Sequence, residues 1–217
     1  MSAAGPLPLP DRDCPLCPRL AAFRETQRAA HADWYNAPVP PFGDPAAPLL
    51  IVGLAPGLRG ANRTGRPFTG DFAGDLLYAT LAKFGLTAGR YAGHRDDGFA
   101  LSGARITNAV RCVPPQNRPE PKEIAACGRF LAAELAASPE VRAILALGAI
   151  AHNAVLAAKG LRRAAYPFAH AAMHDLPGGL LLTDSYHCSR LNTNTGTLTT
   201  EMFEAVFAAV LGRLGSA

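Results

Sequence analysis

Lysine is scarce in this chain, and long apolar runs and the common nucleotide fingerprints are missing. Lys83, Lys122 and Lys159 are the only lysines, and none falls in the motifs quoted below. Schiff-base chemistry, which needs an amine nucleophile, therefore lacks a candidate there. No apolar run is long enough to cross a bilayer. The start, MSAAGPLPLPDRD, lacks the basic residues and apolar stretch of a signal peptide, so the cytoplasm is the expected compartment. Neither GxxxxGKS/T nor GxGxxG follows the first apolar run, which weighs against a nucleotide-handling α/β enzyme. No internal repeat and no long linker is present, so residues 1–217 are expected to form one domain.

What is present suits a globular protein. Apolar residues make up 49% of the 217 positions and charged residues 18%, enough to bury a substantial core. The first 13 residues, rich in proline and small side chains, are expected to fray. The net charge of +4 permits a nucleic-acid partner without demanding one. The excess of arginine over lysine follows equally well from a GC-rich genome.

Regular elements emerge from the periodicity. Residues 15–31 suit a short helix, and the proline-rich stretch 37–48 an extended connection. Short apolar runs at 49–54, 104–110, 141–148 and 179–187 predict four buried strands. Amphipathic segments at 72–86, 119–138, 148–160 and 198–214 predict the helices between and after them. This alternation predicts an α/β protein with a parallel sheet covered on both faces. Ligands of such sheets bind beyond the carboxyl ends of the strands, where the sequence places a glycine-rich loop, Asn108 and His187.

That loop, GLAPGLRGANRTGRPFTGD (Gly53–Asp71), holds five glycines and three arginines and ends on a carboxylate. Glycine leaves backbone N–H groups uncovered, which suits an anionic or polar ligand. Arg59, Arg63 and Arg66 are candidate phosphate contacts. Elsewhere, CPLC gives Cys14 and Cys17 the two-residue gap of a metal-binding knuckle, and Cys112 and Cys127 complete a set of four. Such thiolates could bind tetrahedral zinc or a [4Fe–4S] cluster, and spacing alone does not choose. The alternative is that Cys112 and Cys127 are buried small hydrophobes. Cys188 is left over and is read as a non-ligand.

CPLC, GLAPG with GANRTGRPFTGD, ITNAVRCVPP and SYHCSRLNTNTGTLT, taken in order, resemble the family 5 uracil-DNA glycosylases, bacterial and archaeal enzymes of the iron–sulfur branch of that superfamily. The resemblance implies a three-layer α/β/α sandwich with a four-stranded parallel sheet. It also implies a [4Fe–4S] cluster on Cys14, Cys17, Cys112 and Cys127, and a monomer that flips uracil or other damaged bases out of DNA and hydrolyses the glycosidic bond.

Residue by residue, the resemblance puts base binding on Gly53, Leu54, Ala55, Phe68 and Asn108, with Phe68 stacking on the base and Asn108 reading its edge. Leu54 and Ala55 stand where related families carry a polar residue, so the water-activating role passes to Asp71, with Asp75 one turn on as its rival. His187 would donate to the departing base. In HCSRLNTNTG, a wedge loop, Leu191 would fill the vacated stack and Ser189 and Arg190 meet the DNA, as would Arg63 of the glycine-rich loop. Cys188 and Arg190 replace the prolines of the HPSP form seen in many relatives. A rival reading keeps the metal and the basic loops but no catalysis, and predicts DNA binding without base release.

Overall fold

The structure is a computed structural model that describes residues 9–215; residues 1–8 and 216–217 lie outside the described residues. The expected fraying of residues 1–13 can be judged only from position 9 onward. There, Arg28 lies 2.6 Å from the Asp13 carboxylate and donates to the Arg12 carbonyl at 3.1 Å.

Helix α1 (Pro18–Ala30) leads through the proline-rich stretch to a short strand β1 (Phe42–Gly43). Strand β2 (Leu49–Gly53), a single helical turn α2 (Ala61–Thr64) and helix α3 (Phe72–Lys83) follow. A small hairpin, β3 (Thr87–Ala88) and β4 (Ala100–Leu101), precedes β5 (Ala104–Asn108) and α4 (Pro121–Ala136). Then come β6 (Ala143–Leu147), α5 (Ala149–Ala158), β7 (Met173–Leu176) and β8 (Leu180–Ser185). A short α6 (Arg190–Asn194) and α7 (Thr200–Gly215) close the described chain.

The sheet runs β1-β5-β2-β6-β8-β7, and its four central strands are parallel. The expected four-stranded parallel sheet is therefore present, with antiparallel edges β1 and β7 added. Those edges are short, and β7 is half polar, so neither carries the apolar run that marks a buried strand.

Burial on both faces explains the continuous apolar character of β2 and β6. Leu49, Ile51 and Leu145 pack with Leu77, Leu81, Phe203 and Phe207 of α3 and α7. The alternate residues Leu50, Val52 and Ile144 pack with Leu131, Val155 and Leu156 of α4 and α5. Three layers result, as expected. Strand β5 departs from this rule, since Arg105 and Thr107 are buried on its α4 side. Glu134 of α4 takes Arg105 at 3.2 Å and the Thr107 hydroxyl at 2.9 Å, so the polar residues are partnered.

Candidate active site

A cleft of about 360 Å³ opens at the carboxyl ends of β2, β5 and β8. Its walls include Leu54, Ala55, Phe68, Asp71, Asn108, His187 and Ser189, each named from the sequence, and Asn117, which was not. Four separated segments thus meet where an open α/β sheet binds ligands.

The glycine-rich loop is shaped by what crowds against it. A Cβ on Gly53 would fall on the Asn108 amide oxygen and within 2.6 Å of the Phe68 ring. Gly53 is therefore the seat of two cleft residues and does not line the cleft itself. A Cβ on Gly60 would likewise strike the Asp71 carboxyl. Phe68 is held at φ +51°, a left-handed conformation that a side chain as large as phenylalanine rarely adopts. Its ring faces that of His187, 6.0 Å between centroids and 27° from parallel.

Asp71 is the N-cap of α3 and accepts the Gly74 N–H at 3.1 Å. Burial pushes its carboxyl above the usual carboxylate range, the Gly74 and Ala73 N–H groups pull it back, and Asp75 repels it further. Asp75 itself is exposed and does not line the cleft. Of the two carboxylates, only Asp71 is among the described residues that line the cleft.

His187 follows β8, and burial lowers its pKa to about 4, so the imidazole is neutral at pH 7. Its Nδ1 is buried without a hydrogen-bond partner, as is Oδ1 of Asn108 at the end of β5. Burying such atoms unpaired costs stability, and a polar ligand or water in the cleft would relieve that cost.

At the rim, Ser189 caps α6 by accepting the Asn192 N–H at 3.3 Å. Arg190 lies 5.3 Å above the Phe72 ring, and Leu191 is 71% exposed, the most exposed of the described large hydrophobics. Arg59 and Arg63 are exposed, and Arg59 lines a groove that continues the cleft beside Asp71 and Asn117. Arg63 stands outside both, its Nε donating to the Arg59 carbonyl at 2.9 Å. The expectation that Arg66 meets phosphate is corrected: it is buried and makes two 2.8 Å bonds to Asp97. Residues 89–99 fold over it, a long-range contact invisible in the loop's own composition.

Asn117 sits in a turn with Gln116, at φ +56° and +55°. The bracketing prolines of PPQNRPEP are the one sequence hint that this segment is held in an unusual path.

Cys14, Cys17, Cys112 and Cys127 line a second, small cavity between α1, α4 and the end of β5. The Arg111 N–H points at the Cys127 sulfur at 3.3 Å, and the Arg24 guanidinium lies 3.8 Å from that of Cys112. Cys188 is buried elsewhere and donates to the Ala73 carbonyl at 3.5 Å, apart from the four.

The family described as the uracil DNA glycosylase superfamily matches residues 40–211. A type-5 uracil-DNA glycosylase of Thermus thermophilus is 53% identical over 195 residues, covering 88% of this chain and 89% of that protein. Another, from Pyrobaculum aerophilum, is 42% identical over 198 residues, covering 89% and 86%. One from Mycobacterium bovis is 42% identical over 202 residues, covering 89% and 75%. The match runs through the loop, the cleft strands and the segment after β8, and by it the chain belongs to the uracil-DNA glycosylase superfamily.

Proposed function

We propose that this protein is a monofunctional DNA repair glycosylase that hydrolyses the N-glycosidic bond of uracil, and of other deaminated or modified bases, leaving an abasic site. The observation that carries this reading is the meeting of Asp71 and His187 at one cleft with Phe68 and Asn108.

The target nucleotide must leave the base stack, because its glycosidic bond is shielded inside a duplex. Leu191 enters the gap, and Arg190, Ser189, Arg63 and Arg59 meet the backbone. In the cleft, Phe68 stacks on the base, and the unpartnered Asn108 Oδ1 accepts the N3–H of uracil. As the C1′–N1 bond breaks, its electron pair moves onto the base and charge gathers at O2. The neutral His187 imidazole donates to O2 without needing to give up a proton. Asp71 stabilises the sugar cation and takes a proton from the water that bonds to C1′. Asn117, an amide in the adjoining groove, holds that water. The apolar Leu54 and Ala55 demand few specific hydrogen bonds, which suits a tolerant pocket.

The four cysteines fit a [4Fe–4S] cluster. Among the described residues, no three of their thiols lie within 4.8 Å of one another, whereas zinc bonds near 2.3 Å would hold four sulfurs about 3.8 Å apart. Arg24 and the Arg111 N–H supply positive charge at the sulfurs. Bound there, the cluster would tie Cys14 and Cys17, ahead of α1, to α4 and the sheet, and no step of the hydrolysis uses it. We read residues 1–217 as one domain, acting as a monomer on DNA in the cytoplasm of a bacterium or archaeon. Among the described residues, no helix is long and apolar enough to cross a membrane.

The test is release of free base from a duplex oligonucleotide carrying one uracil. Base release with strand scission only after alkali is expected, since none of the described residues that line the cleft is a lysine. Tight binding without release would overturn the reading and favour a non-catalytic iron–sulfur DNA-binding protein.

A further inference from the structure

Arg66 is spent on Asp97, yet neither residue touches the cleft, and the reaction gives them no part. The guanidinium also donates to the Thr69 hydroxyl at 2.8 Å and lies 5.1–5.9 Å from the rings of Phe42, Tyr78, Tyr91 and Phe99. Asp97 in turn accepts the N–H groups of Ala92 and Phe99, each at 3.0 Å. The excursion between β3 and β4 is thereby pinned onto the far side of the glycine-rich loop.

What the excursion delivers is the Tyr91 hydroxyl. It accepts the Gly70 N–H at 3.1 Å and donates to the Phe68 carbonyl at 3.5 Å. These contacts bracket the turn in which Phe68 takes its left-handed conformation, one residue before the loop reaches Asp71. Strained backbone of this kind persists only where its surroundings hold it. Tyr78 adds a third hold by donating to the Pro67 carbonyl at 2.5 Å.

We infer that Tyr91 is a positioning residue for base excision: its hydroxyl holds the Phe68–Gly70 turn so that the Phe68 ring faces the flipped base, and the Arg66–Asp97 pair holds Tyr91 in place. The inference rests on the reading that Phe68 stacks on the base. Tyr91→Phe removes the hydroxyl and keeps the ring, so the aromatic seat around Arg66 survives.

The experiment is single-turnover base release from a uracil duplex by wild type, Tyr91→Phe, Phe68→Leu and the double variant, with DNA affinity and Tm measured for each. Tyr91→Phe is expected to slow release by about tenfold, with affinity near wild type and Tm lowered by about 2–4 °C as the Gly70 N–H loses its partner. In the Phe68→Leu background the same change is expected to cost less than about twofold, because no ring is left to position. An unchanged rate in Tyr91→Phe, or an equal loss in both backgrounds, would overturn the positioning role. A wild-type rate for Phe68→Leu would instead overturn the stacking reading, and the role of Tyr91 with it.

Discussion

The Asp71 carboxyl accepts the Gly74 N–H at 3.1 Å, so one side chain both caps α3 and faces the cleft. The cap explains why the carboxylate is so firmly placed. Its other oxygen lies over Gly57 and Gly60, close enough that a methyl group on Gly60 would collide with it.

Capping and catalysis separate in Asp71→Asn. Asparagine caps as well as aspartate does, so the helix is kept while the charge is lost. Turnover is expected to fall by about a hundredfold or more. Because burial raises the folded-state pKa of Asp71, its ionised form costs stability, and that cost disappears as pH falls through the raised pKa. Thermal melts should therefore find Asp71→Asn at least as stable as wild type at pH 7, with any advantage shrinking in acid. Wild-type turnover in this variant would remove Asp71 from the mechanism.

The rate of base release should decline on acidification at a pH above the ordinary carboxylate value of 3.8, as Asp71 takes up its proton. His187, with its pKa lowered to about 4, stays neutral from there upward and adds no limb near the usual 6.5. A pH–rate profile with such a limb, lost in His187→Gln, would contradict the neutral-donor role.

Gly53→Ala places a methyl group against the Phe68 ring and the Asn108 amide. Steady-state kinetics should show activity reduced by about tenfold or more, as expected when reacting groups shift by a fraction of an ångström. Full activity would mean that the seat beneath those two residues is softer than the packing suggests.

Leu191→Ala tests the wedge. The side chain is 71% exposed, so Tm should not change. Base release from duplex DNA should fall by about tenfold while single-stranded substrate is processed as before, since only the duplex needs its vacated stack filled. An equal effect on both substrates would argue against insertion.

Cys17→Ser removes one of the four thiols. Purified protein is expected to lose iron and its brown absorbance, and limited proteolysis should then cut ahead of Pro18, where the chain is no longer tied to α4. Wild-type protein should carry about four iron atoms per chain. Retention of the full iron content in Cys17→Ser would exclude Cys17 as a ligand.

Local pattern alone determined a good deal of this protein. Apolar runs of strand length alternating with amphipathic segments specify the four parallel strands and the helices that cover them, because a strand buried on both faces must be apolar throughout. That the loop after β2, Asn108 at the end of β5 and His187 after β8 meet at one cleft was legible for the same reason: the architecture fixes where strands end. Tertiary structure decided the rest, through contacts between distant segments. It set Asp71 at the cleft as a helix cap and left Asp75 in solvent. It buried Arg66 under residues 89–99, where Asp97 and four rings replace the water that an exposed arginine would keep. It brought Asn117 to the cleft on a turn whose dihedrals no composition announces. It also paired the edges β1 and β7, too short to signal themselves, because their register comes from β5 and β8 rather than from any periodicity of their own.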